Sequence, residues 1–222
     1  MDARLRTVVL APAAALVLAC DAPTAAREEA AYDPVAPSVG RNYHWPLGRT
    51  VGVYVDPTAE PSGTDLEDAV REGAARWNAA VYYREFTLRV VSTPDDADVV
   101  VHHATAPLLV GTGTCDYPPV AAGGVTFFCP AVSGDTVETL PLLAGAGPGR
   151  LKIDVRVDRA RVADDAGFRS LVAHELGHVV GIGAHSDRAE DLMFAVPRAA
   201  APSARDERTL RFLLHEPAGY TL

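Results

Sequence analysis

The chain has 222 residues, 48% of them hydrophobic, with 20 Lys and Arg against 29 Asp and Glu and a net charge of −9 at pH 7. That balance argues against a nucleic-acid partner, whose footprint would be a basic patch. The length is enough for one domain with a solid core, and no internal repeat points to a solenoid.

The chain opens with Arg4 and Arg6 and continues as an apolar run from Thr7 to Ala19. This run is too short for a spanning helix, which needs about 20 residues. It suits the apolar region of a secretory signal. It ends Val17-Leu18-Ala19-Cys20, which resembles the lipobox of bacterial lipoproteins. The resemblance implies a signal peptide over 1–19, diacylation of Cys20, and a chain held by lipid to a membrane of the bacterial envelope. Ordinary cleavage after Thr24-Ala25-Ala26, giving a freely secreted protein, is the alternative. A mature chain from Cys20 carries 28 acids against 18 bases, which would attract a basic peptide. With Cys20 lipidated, Cys115 and Cys129 remain as an even pair in an exported chain. A disulfide between them would close a loop of about 15 residues, worth up to roughly 3 kcal/mol. Two buried unpaired cysteines are the other reading.

Residues 20–44, rich in Ala, Glu and Pro without periodicity, read as a disordered tether. A folded domain over 45–217 and a tail over 218–222 follow. Thr50 to Val55 is rich in β-branched residues at alternate positions and predicts a strand. Thr64 and Glu67 form a capping-box signature, and Leu66, Val70, Ala74 and Trp77 give one apolar face to a helix ending near Tyr82. Strands are predicted over Phe86 to Val91 and Asp98 to His102, the second with an apolar run suited to a sheet interior. Adjacent His102 and His103 should face opposite sides, one toward solvent and one toward the core. Val125 to Phe128 and Leu151 to Val157 read as two further strands, with a long Gly/Pro-rich loop from Ser133 to Gly149 between them. A helix from about Asp164 to Val180 offers Leu171, Val172 and Leu176 to a sheet, and a last helix over Ser203 to His215 buries Leu210, Leu213 and Leu214.

The helix from Asp164 carries His174-Glu175-Leu176-Gly177-His178. Histidines four apart point the same way, about one turn from each other, so both imidazoles can hold one metal ion. Glu175 lies on an adjacent line and can reach a water on that metal. Zinc in a catalytic site takes three protein ligands and a water, whose pKa it lowers to about 7. The chemistry implied is metal-assisted hydrolysis of an amide bond, with Glu175 as general base. Gly181 stands where an abruptly ending helix favours a left-handed residue.

Extended through Gly181, His185-Ser186 and Leu192-Met193-Phe194, the pattern resembles that of the metzincin zinc metalloproteases, HExxHxxGxxH followed by a Met-turn. It is most similar to the matrixin-like branch, in which Ser follows the third histidine and the Met of an L-M-aromatic triplet comes eight residues after it. Trp77 and Ala97-Asp98-Val99 are weaker landmarks of that branch. The resemblance implies an α+β catalytic domain, with a mixed, twisted five-stranded sheet packed on the active-site helix and a second long helix, and a C-terminal helix. It implies one catalytic Zn2+ held by His174, His178 and His185, Glu175 as the catalytic base, and Met193 as a hydrophobic floor. It also implies a peptide or protein substrate paired along an edge strand at Gly124, Val125 and Thr126, and a specificity pocket walled by about Phe194 to Pro202. A second, structural zinc near His102 and His103, or a calcium, is a further option. A monomer is expected, and no cysteine-switch motif is present.

One departure matters. The family places its third histidine three residues after the glycine, where this chain has Ala184, and His185 comes one residue later. Because His185, Ser186 and Met193 keep their mutual spacing, the extra residue reads as an insertion within Ile182-Gly183-Ala184, where Gly183 makes a bulge inexpensive. An acidic third ligand is the alternative, from Asp187, Glu190, Asp191 or, as in gluzincins, Glu207; Met193 counts against it. A reading from another class is a non-catalytic envelope protein that binds peptides or a partner. Glu175 counts against that one, since binding gains nothing from a base beside a metal.

Overall fold

The computed structural model describes residues 29–36, 40, 42–57, 65–103, 123–127, 131–133, 136–138, 153–217 and 220–221. The signal segment, Cys20, Thr64, Cys115 and Cys129 lie outside the described residues, and with them the expected lipid site and disulfide. In chain order the elements are β1 (Tyr43–His44), β2 (Arg49–Val55), α1 (Leu66–Ala79), β3 (Phe86–Val91), β4 (Val99–His103) and β5 (Gly124–Phe127). They continue with β6 (Ala131–Ser133), β7 (Thr136–Glu138), β8 (Ile153–Val157), α2 (Asp165–Val179), α3 (Ala204–Leu214) and β9 (Tyr220–Thr221). Five strands form a mixed sheet in the order β3-β2-β4-β8-β5, parallel except for β5, which runs antiparallel to β8 at the edge. The expected α+β class, with a mixed five-stranded sheet and three α-helices, is the one observed.

Cover on both faces suits the apolar sequence of β4. It lies between β2 and β8, and Val99, Val100 and Val101 are all buried. The same cover corrects the expectation for the two histidines, because His102 and His103 are both buried. His103 stacks on Phe168 of α2 with ring centroids 6.2 Å apart, and His102 Nε2 lies 2.5 Å from Asp154 Oδ1 of β8 on the other face. Facing apart, they do not form one metal site.

Both long helices pack together, with Leu66, Val70, Ala74 and Trp77 of α1 buried as their spacing predicts. The Trp77 indole N–H donates to the Ala173 carbonyl at 2.7 Å and fixes α1 against the middle of α2. Asp65 is the N-cap of α1, accepting from the Asp68 N–H at 2.8 Å, one residue beyond the expected Thr64. The helix stops at Ala79, short of Tyr82, which is exposed along with Tyr83.

Three further expectations are corrected at the margins. Residues 31–35, expected as tether, lie on the domain: Ala31 N–H donates to Thr209 Oγ1 at 3.1 Å and the Tyr32 phenol to Asp206 at 2.6 Å. Part of the tail forms β9, which pairs with β1 and β7 in a second sheet of order β1-β9-β7-β6. The stretch expected as one long loop from Ser133 contains β7, which pairs antiparallel with β6. No described helix is long and apolar enough to cross a membrane.

Candidate metal centre

Helix α2 is built to end abruptly. Asp164 caps its start, accepting from the Gly167 N–H at 2.7 Å. At the other end Ile182 N–H reaches the Gly177 carbonyl and Gly181 N–H the His178 carbonyl, both at 3.1 Å, which is the Schellman pattern. Gly181 sits at φ 120, and a Cβ there would come 2.5 Å from the Tyr43 carbonyl oxygen, so the position requires glycine. Side chains from the start of the domain also bond the end carbonyls. The Tyr43 phenol donates to the His178 carbonyl at 2.6 Å, and the Trp45 indole to that of Val179 at 2.9 Å.

The stop turns the chain back so that His185 faces the two helix histidines. One ring nitrogen from each of His174, His178 and His185 lies within 4.8 Å of the others, an arrangement able to hold a metal ion. With Ala184 rather than a histidine three residues after Gly181, His185 still comes together with the two helix histidines. His174 Nδ1 lies 2.8 Å from the Leu192 carbonyl and His178 Nδ1 2.6 Å from that of Ile182. A carbonyl only accepts, so each Nδ1 carries the hydrogen and each Nε2 keeps its lone pair. Backbone carbonyls in this role fix tautomer and ring orientation in metal sites generally.

Electrostatics favour the neutral form that ligation needs. Burial pushes His174 down to about 4, against the opposing hydrogen bond to Leu192. Burial and the neighbouring His174 hold His178 well below its ordinary value, and burial lowers His185, the most exposed of the three. Three neutral imidazole nitrogens are a donor set suited to zinc and to several other transition metals. Among the described residues this is the one group of three or more such donors.

Glu175 lies beside the histidines, buried, with its carboxyl pushed up to about 7 by that burial despite a hydrogen bond from Thr126. The Thr126 hydroxyl, on edge strand β5, is 2.7 Å from Glu175 Oε2. Glu175 Oε1 packs where a Gly124 side chain would stand, since a Cβ there would be 2.4 Å away. So Gly124 and Thr126, expected only to offer backbone to a substrate, also shape the position of the carboxylate. Along with Val125 and the three histidines they line a cleft of about 490 Å3 whose apolar wall includes Val162, Leu171, Ala195 and Val196.

Met193 is fully buried beneath α2, its Sδ 2.2 Å from where a Gly177 Cβ would lie. The turn around it is tied by Ser186 N–H to the Met193 carbonyl at 2.8 Å and by two buried aspartates that sequence reading did not single out for this role. Asp191 accepts from the hydroxyls of Ser186 and Ser203 and pairs with Arg205. Asp206 accepts from Leu192 N–H and Ser203 N–H, each at 2.8 Å. The spacing of Ser203 and Asp206 at a helix start is the signal that could have identified the latter. Of the four acidic alternatives, three have other partners: Asp191 in the turn, Asp187 with Arg205, and Glu207 with Arg211 on its own helix, and Glu190 is not in the group of donors around the histidines. No family model matches the chain, and no curated protein matches its sequence.

Proposed function

We propose that this chain is a zinc-dependent endopeptidase of the matrixin-like metzincin type, held to the bacterial envelope through Cys20. The observation that carries the reading is one cluster: three imidazoles whose ligand nitrogens come together, two of them with Nε2 left as the acceptor, and a buried glutamate one residue along from the first on the same helix. His174, His178 and His185 would hold the metal. A bound zinc would supply Lewis acidity toward a water and toward the scissile carbonyl.

The chain's own groups do the rest. Thr126 donates to Oε2 of Glu175, which leaves Oε1 to take the proton of the attacking water and pass it to the leaving amine. Edge strand β5 offers N–H and C=O groups to an extended peptide, and the apolar wall of the cleft receives a substrate side chain. Cleavage of a mixed peptide library by the detergent-solubilised chain tests this. Cuts by the parent are expected, with Glu175→Ala retaining zinc and losing at least about 100-fold in rate, and His178→Ala losing the metal. Parental cleavage by Glu175→Ala, or a parent that binds no zinc, would refute it.

A further inference from the structure

We infer that residues 31–36 are a positioning strap for the metal centre, holding the hydrogen-bond acceptors that orient its ligands. The inference rests on the metal-site reading above. Tyr32 lies two bonded groups from a ligand-orienting peptide. Its phenol donates to Asp206 Oδ1 at 2.6 Å, and Oδ2 of the same buried carboxylate accepts from Leu192 N–H at 2.8 Å. The carbonyl of Leu192 is the acceptor for His174 Nδ1. The strap therefore reaches His174 through one carboxylate and one residue.

A second contact reaches the other side of the site. The carbonyl of buried Pro34 accepts from Gly183 N–H at 2.8 Å and Ala184 N–H at 3.0 Å. A carbonyl has two lone pairs and can take both donors. Those donors belong to the turn holding the residue inserted before His185, just after Ile182, whose carbonyl orients His178. A turn lengthened by one residue has an additional peptide N–H to satisfy, and Pro34 provides for it. The strap is anchored away from the site by Ala31 on Thr209 and by the Arg205 guanidinium 5.8 Å over the Tyr32 ring. Its far end, Ala36, reaches the wall of the cleft.

Two substitutions in the full chain loosen the strap without touching a ligand. Tyr32→Phe removes only the phenolic hydroxyl. Gly183→Val drives a side chain against Ala36 N, which a single Cβ would already approach to 3.1 Å. Zinc affinity is measured by competition with a chromophoric chelator, alongside the visible spectrum of the cobalt-substituted protein. Loss of supporting contacts around ligands typically costs 10–100-fold in affinity, so each variant should bind zinc roughly tenfold or more weakly, with a changed cobalt spectrum. Leu88→Ala, in the core at the opposite edge of the sheet, is the control for general destabilisation and should keep parental affinity. Parental affinity and spectrum in both strap variants, or an equal loss in Leu88→Ala, would overturn the strap while leaving the metal site standing. A parent that binds neither zinc nor cobalt would overturn the site reading, and this inference with it.

Discussion

Gly124→Ala tests the proposed chemistry through a residue that is neither ligand nor base. A Cβ at this position would lie 2.4 Å from Glu175 Oε1 and 2.9 Å from both Cδ and Cγ of that side chain. Ordinary contact begins near 3.4 Å, so the carboxylate must retreat by about 1 Å. The atoms displaced are the far end of a flexible side chain, so the fold gives way cheaply. Losing the 2.7 Å bond from Thr126 should cost about 1 kcal/mol in stability. Catalysis is less forgiving, because a 1 Å misplacement of a reacting group can cost about 100-fold, or about 2.7 kcal/mol of barrier. The expected result is a kcat/KM about 100-fold below the parent on the best library peptide, with stoichiometric zinc and a melting temperature within a few degrees. Parental kcat/KM would refute the placement of Glu175 as the base. Loss of zinc would show that the substitution acts on the ligands instead.

Gly177→Ala should be a stability mutant. Its Cβ would come 2.2 Å from Met193 Sδ and 2.6 Å from Trp77 Cζ2, and the indole is held in place by Ala173, so overpacking should cost about 3 kcal/mol in urea denaturation. A cost near zero would mean that Met193 does not pack under α2. One part of the pH dependence of the metal-free protein comes from Glu175, whose carboxyl is raised from 4.5 to about 7 by burial. Through this group alone the folded state binds more protons than the unfolded one across that window, so its stability is present below 4.5 and lost as pH rises to about 7. The lowered His174, His178 and His185 act in the opposite sense and are common to parent and variant. At about 1.4 kcal/mol per pH unit, Glu175→Gln should stabilise the metal-free protein by roughly 3 kcal/mol at pH 8 and by far less at pH 5. Equal effects at the two pH values, read from urea midpoints, would show that the carboxyl is not desolvated in the fold.

What the sequence disclosed depended on the range of the interactions involved. The histidine pair, the glycine stop, the buried leucines of α3 and the apolar face of α1 are local, set by spacings of one to four residues, and each stands where it was expected. Interactions at long range were missed. Tyr32 meets Asp206 across 174 residues, and Ala31 meets Thr209 across 178, in a segment whose composition reads as tether. Thr126 was noticed for its backbone, while its hydroxyl holds Glu175 from 49 residues away. The burial of both His102 and His103 depends on what packs on each face of β4, Phe168 against His103 and Asp154 against His102, which no periodicity within the strand can tell.

The same contrast bears on the extra residue that the metzincin resemblance implies before His185. The orientation of His178 is set by the carbonyl of Ile182, which precedes the insertion. The position of Ser186, beside His185, is set by its bond to the Met193 carbonyl, which follows it. Gly183 and Ala184 lie between these fixed points, and their two peptide N–H groups are both bonded to the Pro34 carbonyl. An insertion one residue earlier would move the acceptor of His178, and one placed after His185 would break the register of Ser186 with the Met193 turn. On the metzincin reading, the extra residue would therefore fall in the short interval in which added length disturbs neither fixed point, and the contact that satisfies its turn comes from Pro34, far away in the chain.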